Sequence, residues 1–312
     1  MTSKSEHVVV QEVGLRDGLQ IVSRTVDTDI KRRWIDAAYA AGVRHMEVAS
    51  FVPPKLMPQM ADAEQVVAHA LGCPGLTVTG LVPNARGAQR ALASGVHRIA
   101  APISVSKAHS LANVRKTPYD MVDEFRRIRE MCDQEASGSR PKLVAGLSTA
   151  FGCTYQGRVE QDDVLDVVQR VIEAGCDAIA LADTTGYATP QQVSDAFAAV
   201  RRIAPDMLLI GHFHDTRGMG LANTVMALNQ GVREFDACLA GLGGCPHAPG
   251  ASGNVATEDL VFMLHSMGFS TGIDLEALLA SRSIVEQALP EEPLYGFIAR
   301  AGLPKNYLGE AR

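Results

Sequence analysis

Residues 161–183, QDDVLDVVQRVIEAGCDAIALAD, show the pattern from which the fold can be predicted. Gln161–Ala174 has the apolar spacing of a helix, and the glycine that follows suits a helix end that turns left-handed. Ala178–Leu181 is a short apolar run typical of a buried strand, and the acidic Asp183 lies at its end. A helix, a glycine turn and a buried strand therefore form one compact unit.

This unit recurs along the whole chain. Eight candidate strands follow one another at intervals of about 32 residues, and helical patterns separate them. Eight parallel βα units predict a closed (β/α)8 TIM barrel. A doubly wound open sheet is the alternative, but the chain has no GxGxxG turn. The predicted strands are Val8–Val13, His45–Ala49, Thr77–Val82, Arg98–Ile103, Leu143–Leu147, Ala178–Leu181, Leu208–Phe213 and Glu234–Leu239.

Helix boundaries can be placed in the same way. Thr117-Pro118 and Thr189-Pro190 have the N-cap and first-turn proline arrangement that begins a helix. No linker-like tract divides residues 1–312, so we expect a single barrel domain with a helical C-terminal extension over about residues 273–312. Helices that end before a glycine are predicted at Ile30–Ala41, Ala85–Ser94, Gln161–Ala174 and Leu221–Gln230.

The amino-acid composition and net charge exclude several classes of protein. Of the 312 residues, 46% are hydrophobic and 21% are charged, which excludes disorder as the main state. A formal net charge of −6 leaves no overall cationic face for nucleic acid or an anionic membrane, so a small molecule is the expected partner. Six scattered cysteines, the lack of a signal peptide and the lack of an apolar run near the roughly 18 residues of a membrane span indicate a cytoplasmic protein.

Polar residues concentrate where a barrel would have its catalytic site. In this fold the site is built from the loops at the carboxyl ends of the strands. Six groups of polar or glycine-rich residues fall at these ends, although they are far apart in the sequence. They are Arg16-Asp17, Glu47, Asn84, Asp183-Thr184, His212 with His214, and Gly241–Asn254.

The histidine pair indicates a metal site. His212 and His214 are two residues apart on a strand, so their side chains point to one face and can converge on one cation. The alternative is one packed and one hydrogen-bonded histidine. Asp17 is the obvious carboxylate partner. This set suits several metals, including zinc and non-haem iron, whereas a carboxamide oxygen from Asn254 would favour Mg²⁺ or Mn²⁺.

Gly241–Asn254 predicts a loop that closes over a ligand. It contains five glycines and two prolines, and glycines let the backbone approach a ligand closely. Within it, Cys245 is a candidate proton donor or acceptor, and its alternative role is that of a small buried filler.

Six segments carry a resemblance to a known family. They are Glu12–Gln20 (EVGLRDGLQ), Glu47–Val52 (EVASFV), His212–Thr216 (HFHDT), Gly243–Pro246 (GGCP), Gly250–Asn254 (GASGN) and Ala256–Leu260 (ATEDL). Together they resemble the 3-hydroxy-3-methylglutaryl-CoA (HMG-CoA) lyase family, within the metal-dependent barrel lyases and Claisen-type synthases. The resemblance spans most of the chain, and the Gly-Gly-Cys-Pro motif points to the lyase branch.

The resemblance implies a reaction and a set of roles. It implies retro-Claisen cleavage of HMG-CoA, or a related 3-hydroxyacyl-CoA, to acetyl-CoA and a keto acid, with Mg²⁺ or Mn²⁺ as cofactor. We also expect the chain to form a homo-oligomer, namely a dimer. The implied metal ligands are Asp17, His212, His214 and Asn254. The implied catalytic residues are Arg16, Glu47, Asp183 and Cys245, and the implied substrate-binding residues are Arg16, Gln20 and Ser50.

The chain departs from the family pattern at a few positions. The family usually has proline where Leu15 stands, Asn-Glu at Ile21-Val22 and tyrosine at His247, and Leu56 and Thr154 replace a frequent tryptophan and proline. These changes leave the metal and thiol residues intact and bear on the acyl substrate. The alternatives are a lyase for another 3-hydroxydicarboxylyl-CoA such as citramalyl-CoA, a synthase of the same barrel family, and a non-catalytic binding barrel.

Overall fold

Eight parallel strands close into a barrel. The computed structural model describes residues 5–135, 140–243 and 253–310. Each strand pairs with the next in sequence order and the last pairs with the first, which confirms the predicted TIM barrel. All eight predicted strands are present, with ends that differ by at most two residues. They are β1 (Val9–Glu12), β2 (His45–Ser50), β3 (Thr77–Leu81), β4 (Arg98–Ser104), β5 (Lys142–Ser148), β6 (Ala178–Asp183), β7 (Leu208–Phe213) and β8 (Glu234–Ala237).

Helices surround the barrel and continue beyond it. Two of them follow the last barrel helix and lie within the range predicted for the C-terminal extension. Among the described helices, none has both the length and the apolar character that crossing a bilayer requires. The helices are α1 (Thr28–Ala40), α2 (Ala63–Leu71), α3 (Ala85–Ala93), α4 (Lys107–Val114), α5 (Pro118–Asp133), α6 (Gln161–Glu173), α7 (Pro190–Ile203), α8 (Gly220–Asn229), α9 (Thr257–Ser266), α10 (Leu275–Ala288) and α11 (Phe297–Ala301).

Side-chain caps fix where several helices begin. The Thr117 and Thr189 hydroxyls accept hydrogen bonds from the backbone three residues on, in the capping boxes of α5 and α7, as the Thr-Pro pairs predict. Asn84 has the same function for α3, because its Oδ1 accepts a hydrogen bond of 3.0 Å from the Gly87 amide. This residue, which the sequence placed on the catalytic face, therefore starts a helix.

The kind of side chain that fills the barrel interior changes along the barrel axis. An ion pair between Arg98 and Glu234 lies at the amino-terminal ends of β4 and β8 and is buried. Val144, Ala178 and Ile210 form a small apolar cluster from β5, β6 and β7. Polar side chains occupy the carboxyl-terminal end, where the candidate site is built. The layers of side chains beneath the site are filled and therefore support it.

The end of α1 is held against the C-terminal extension by close backbone packing. Gly42 follows α1 with φ +99°, and a Cβ added there would lie 2.2 Å from the Gly272 carbonyl oxygen. Next to it, the Asp274 amide donates a hydrogen bond of 2.8 Å to the Ala41 carbonyl. Because α10 begins just after Asp274 and packs on α1, this junction attaches the extension to the barrel.

We expect Gly42→Ala to lower the free energy of unfolding by about 3 kcal/mol, because both the left-handed backbone and a fixed carbonyl oppose the new methyl group. Gly95→Ala is the matched control. Gly95 is also left-handed, at φ +78°, but a Cβ there would meet only a Leu71 side-chain carbon at 3.6 Å. It should lose about 1 kcal/mol. Equal losses in urea titrations of the two variants would contradict this account.

Candidate active site

The turn after β1 brings two charged side chains to the mouth of the barrel. Gly14–Gly18 forms a π-helical turn in which the Val13 carbonyl accepts hydrogen bonds from the amides of Asp17, at 2.7 Å, and Gly18, at 3.3 Å. Turns of this kind are rare and are found frequently at functional sites. Arg16 and Asp17 project from it and are buried.

Asp17 and the two predicted histidines converge on one point. The His212 Nε2 and His214 Nε2 atoms are 3.2 Å apart, and Asp17 Oδ2 lies 4.0 Å from the first and 3.7 Å from the second. Two ligand atoms that each lie about 2.1 Å from one cation can be at most about 4.2 Å apart. All three separations fall within this limit, so the three side chains can hold a single metal ion.

Asn254 lies directly beside this cluster. Its Nδ2 donates hydrogen bonds to Asp17 Oδ2 at 2.7 Å and to the Leu242 carbonyl at 3.0 Å. Its Oδ1 is buried and has no hydrogen-bond partner among the described residues. A buried amide oxygen without a partner is a free ligand atom. One carboxylate, two imidazoles and this oxygen form a donor set that fits a divalent cation.

Arg16 links the metal cluster to β2. Its Nη1 donates to Asp17 Oδ1 at 2.5 Å and its Nη2 donates to Glu47 Oε2 at 2.7 Å, while Gln20 Nε2 also donates to Asp17 Oδ1, at 2.9 Å. Burial alone would raise the pKa of Asp17, but the Arg16 guanidinium and both imidazoles hold it well below its usual range. Asp17 is therefore anionic, as a metal ligand must be.

Further polar atoms in the site are buried without a partner among the described residues. They include Glu47 Oε1, Ser50 Oγ and Asp183 Oδ2. The other Asp183 oxygen, Oδ1, accepts a hydrogen bond of 2.8 Å from the Tyr187 amide. Burial raises the pKa of Asp183, and the nearby His214 opposes this only in part. Buried polar atoms usually have partners, so these atoms are available to a bound ligand.

Sequence reasoning missed Asp236. This buried residue of β8 faces His212, whose Nδ1 lies 3.0 Å from Asp236 Oδ2. A signal was present, because Glu234 and Asp236 alternate on a predicted strand and such a strand inside a barrel rarely carries two acids. What the spacing could not give was the pairing of Asp236 with His212 across neighbouring strands.

Some sequence predictions fall outside the described residues, and others have a structural explanation. Cys245 and His247 lie outside them, as does most of the loop predicted to close over a ligand. Leu15 and Val22, two of the positions that differ from the family pattern, are buried in the apolar core. Leu56 is exposed. These three substitutions therefore add no polar or charged group to the candidate site.

Comparison with known families agrees with this geometry. A family model described as HMGL-like matches residues 7–285. This chain belongs to that family. The hydroxymethylglutaryl-CoA lyase of Pseudomonas mevalonii is 40% identical over 271 residues, which cover 87% of this chain and 89% of the relative.

Solved structures of HMG-CoA lyases are also similar to this chain. An HMG-CoA lyase from A. baumannii, in complex with coenzyme A and 3-methylmalate, superposes with a TM-score of 0.89 at 38% identity and covers 98% of this chain and 99% of its own. The Bacillus subtilis HMG-CoA lyase has a TM-score of 0.90 at 36% identity, covering 95% of this chain and 98% of its own. Both likenesses extend over the whole barrel.

The cluster predicts one divalent-ion site that depends on Asp17. In calorimetric titrations of the purified chain with Mn²⁺, we expect Asp17→Ala to weaken binding by at least about 100-fold, because it removes the anionic ligand. The matched control is His69→Ala, which removes a half-buried histidine that pairs with Asp36 on the outer helices. This control should bind as the unchanged chain does. Equal affinity in Asp17→Ala and the unchanged chain would contradict the assignment.

Proposed function

We propose that this chain is a divalent-metal-dependent carbon–carbon lyase that cleaves HMG-CoA to acetyl-CoA and acetoacetate. The observation that carries the proposal is the convergence of Asp17, His212 and His214 on one point beside the Arg16 guanidinium, at the catalytic end of a TIM barrel. The relatives named hydroxymethylglutaryl-CoA lyase, which match nearly the whole chain at about 40% identity, support it.

The proposed substrate class is an acyl-CoA whose acyl group carries a hydroxyl and a second carboxylate. The A. baumannii HMG-CoA lyase, which resembles this chain closely, binds coenzyme A and 3-methylmalate. 3-Methylmalate is a hydroxydicarboxylate, so it carries the same combination of groups as the proposed acyl chain. The buried polar atoms of Ser50 and Asp183 that have no partner in the described residues supply hydrogen-bonding capacity for such groups.

Mg²⁺ or Mn²⁺ is the proposed ion, held by Asp17, His212, His214 and Asn254. Two of these four residues contribute hard oxygen atoms, which these ions prefer. When bound, the ion would polarise the hydroxyl and carbonyl oxygens of the substrate.

Asp183 is the proposed base. Its Oδ2 has no hydrogen-bond partner among the described residues, and its raised pKa brings it closer to that of an effective base. Oδ2 would take the proton of the tertiary hydroxyl. The oxygen–hydrogen electron pair then forms the carbonyl group of acetoacetate, the carbon–carbon bond breaks, and the pair from that bond enters the thioester as an enolate.

Arg16 is the residue proposed to stabilise the enolate, and Cys245 is the residue proposed to protonate it. The Arg16 Nε atom is buried without a partner among the described residues, so it can donate to the oxygen on which negative charge develops. Glu47 holds the guanidinium in place through Nη2, and Gln20 supports Asp17. The Cys245 thiol would give its proton to the enolate carbon, which yields acetyl-CoA.

The proposal also covers assembly and location. A homodimer is the proposed assembly. The five cysteines in the described part of the chain are free thiols, which supports a reducing compartment such as the cytoplasm.

A panel of purified 3-hydroxyacyl-CoA thioesters tests the reaction. With Mg²⁺ or Mn²⁺ present, HMG-CoA should give equal amounts of acetyl-CoA and acetoacetate, and chelation should abolish turnover reversibly. Preferred cleavage of citramalyl-CoA would transfer the assignment to that substrate. Consumption of acetyl-CoA with a keto acid and release of free CoA would identify a synthase. No turnover of any thioester with the ion bound would overturn the proposal.

Asp183→Asn tests the proposed base. The amide keeps an oxygen for the Tyr187 amide but cannot take a proton, so we expect kcat to fall by about 10²–10⁴ with little change in KM. Asp177→Asn is the control, because Asp177 directly precedes β6, at the end opposite Asp183, and binds Arg129 and the Leu143 amide. It should affect thermal stability and leave kcat intact. Near-normal kcat in Asp183→Asn would exclude this residue as the base.

A further inference from the structure

A row of buried polar side chains crosses the barrel interior from β3 to the candidate metal site. It starts at Thr79 of β3, passes through Gln11 of β1 and Asp236 of β8, and ends at His212 of β7. All four residues are at least 90% buried. Burying polar groups in a core lowers stability unless each is satisfied, and the proposed reaction gives no role to Thr79, Gln11 or Asp236.

Each contact in the row has a defined direction. The Thr79 hydroxyl donates to Gln11 Oε1 at 2.9 Å, and Gln11 Nε2 donates to Asp236 Oδ1 at 2.8 Å. The remaining oxygen, Asp236 Oδ2, lies 3.0 Å from His212 Nδ1. A carboxylate only accepts hydrogen bonds, so Gln11 must present its amide nitrogen and His212 must present a protonated Nδ1.

The register of the barrel keeps the row in place. Asp236 is the direct partner of Gln11 in the β1–β8 ladder and of His212 in the β7–β8 ladder. Its carboxylate therefore contacts both neighbouring strands. Gln11 occupies one oxygen, Thr79 holds the Gln11 amide in the donating orientation, and the second oxygen is left to the imidazole.

We propose that Asp236, held by Gln11 and Thr79, is a positioning residue that fixes His212 in the Nδ1–H tautomer. In that tautomer the unprotonated Nε2 faces Asp17 and His214, where a cation needs its lone pair. This inference rests on the proposed function only where it concerns which reaction uses the ion. The tautomer and the affinity for the ion are properties of the chain alone.

Nitrogen-15 NMR of histidine-labelled protein measures the tautomer directly. The metal-free full chain is examined at alkaline pH, where the ring is neutral, and His212 is assigned from the signal that His212→Gln removes. We expect His212 to be protonated at Nδ1 in the unchanged chain. In Asp236→Leu the Nε2–H form should become populated, and calorimetric affinity for Mn²⁺ should fall by about 10- to 100-fold.

Two further comparisons separate positioning from general stability. Thr79→Val removes the hydroxyl and should shift the tautomer and the Mn²⁺ affinity in the same direction, at the lower end of that range, whereas Thr79→Ser keeps the hydroxyl and should behave as the unchanged chain. Glu234→Gln alters a buried carboxylate on the same strand that binds Arg98. It should lower thermal stability without moving either readout.

The outcomes decide the proposal independently of the substrate. An Nε2–H ring in the unchanged chain, or an unchanged tautomer and Mn²⁺ affinity in Asp236→Leu, would overturn it. If Asp236→Leu does not fold, the comparison of Thr79→Val with Thr79→Ser tests the proposal instead. The same tautomer and the same Mn²⁺ affinity in these two variants would overturn it. Neither readout uses an acyl-CoA, so a failed thioester panel with the expected tautomer shift would overturn only the proposed function.

Discussion

Asp17 carries a buried negative charge at the mouth of the barrel, and the other charged groups of the site are arranged around it. An unpaired carboxylate in this position would be neutralised by protonation, because its desolvation outweighs any single weak contact. Arg16 prevents this at Asp17 by direct pairing. The guanidinium then needs its own second acid, Glu47, and a turn that sets arginine and aspartate side by side. The π-helical turn, the β2 glutamate and the two facing imidazoles all follow from keeping one charge in place.

Glu12 connects this turn to the other loops that supply ligands. Its carboxylate accepts hydrogen bonds from the Gly14 amide, the Leu239 amide and the Thr257 hydroxyl, and so joins the segments after β1 and β8 to the start of α9. Burial raises the pKa of Glu12 to about 7. The segments that lead to Asp17 and Asn254 are thus held by one shared side chain, in addition to the barrel that supports them.

The sequence was sufficient wherever the information was local or periodic. Regular spacing of apolar runs predicted all eight strands, and the two-residue period of a strand placed His212 and His214 on one face. It was insufficient where function depends on what closure of the barrel brings together. Asp236 can contact both His212 and Gln11 only because β8 lies between β7 and β1. Asn84 is a helix cap because its side chain accepts a hydrogen bond from the Gly87 amide, three residues along the chain.

The closed strand order divides the mouth into two sectors. Every candidate ligand in the described residues comes from β7, β8 and β1 or the segments that follow them, and these three strands are neighbours. The opposite arc, β3 to β5, contributes none of them. An ancestral barrel of this kind could exchange residues along that arc and acquire a new acyl preference while its ion-binding half stayed untouched, which is a simple physical route by which one scaffold gives rise to enzymes of different specificity.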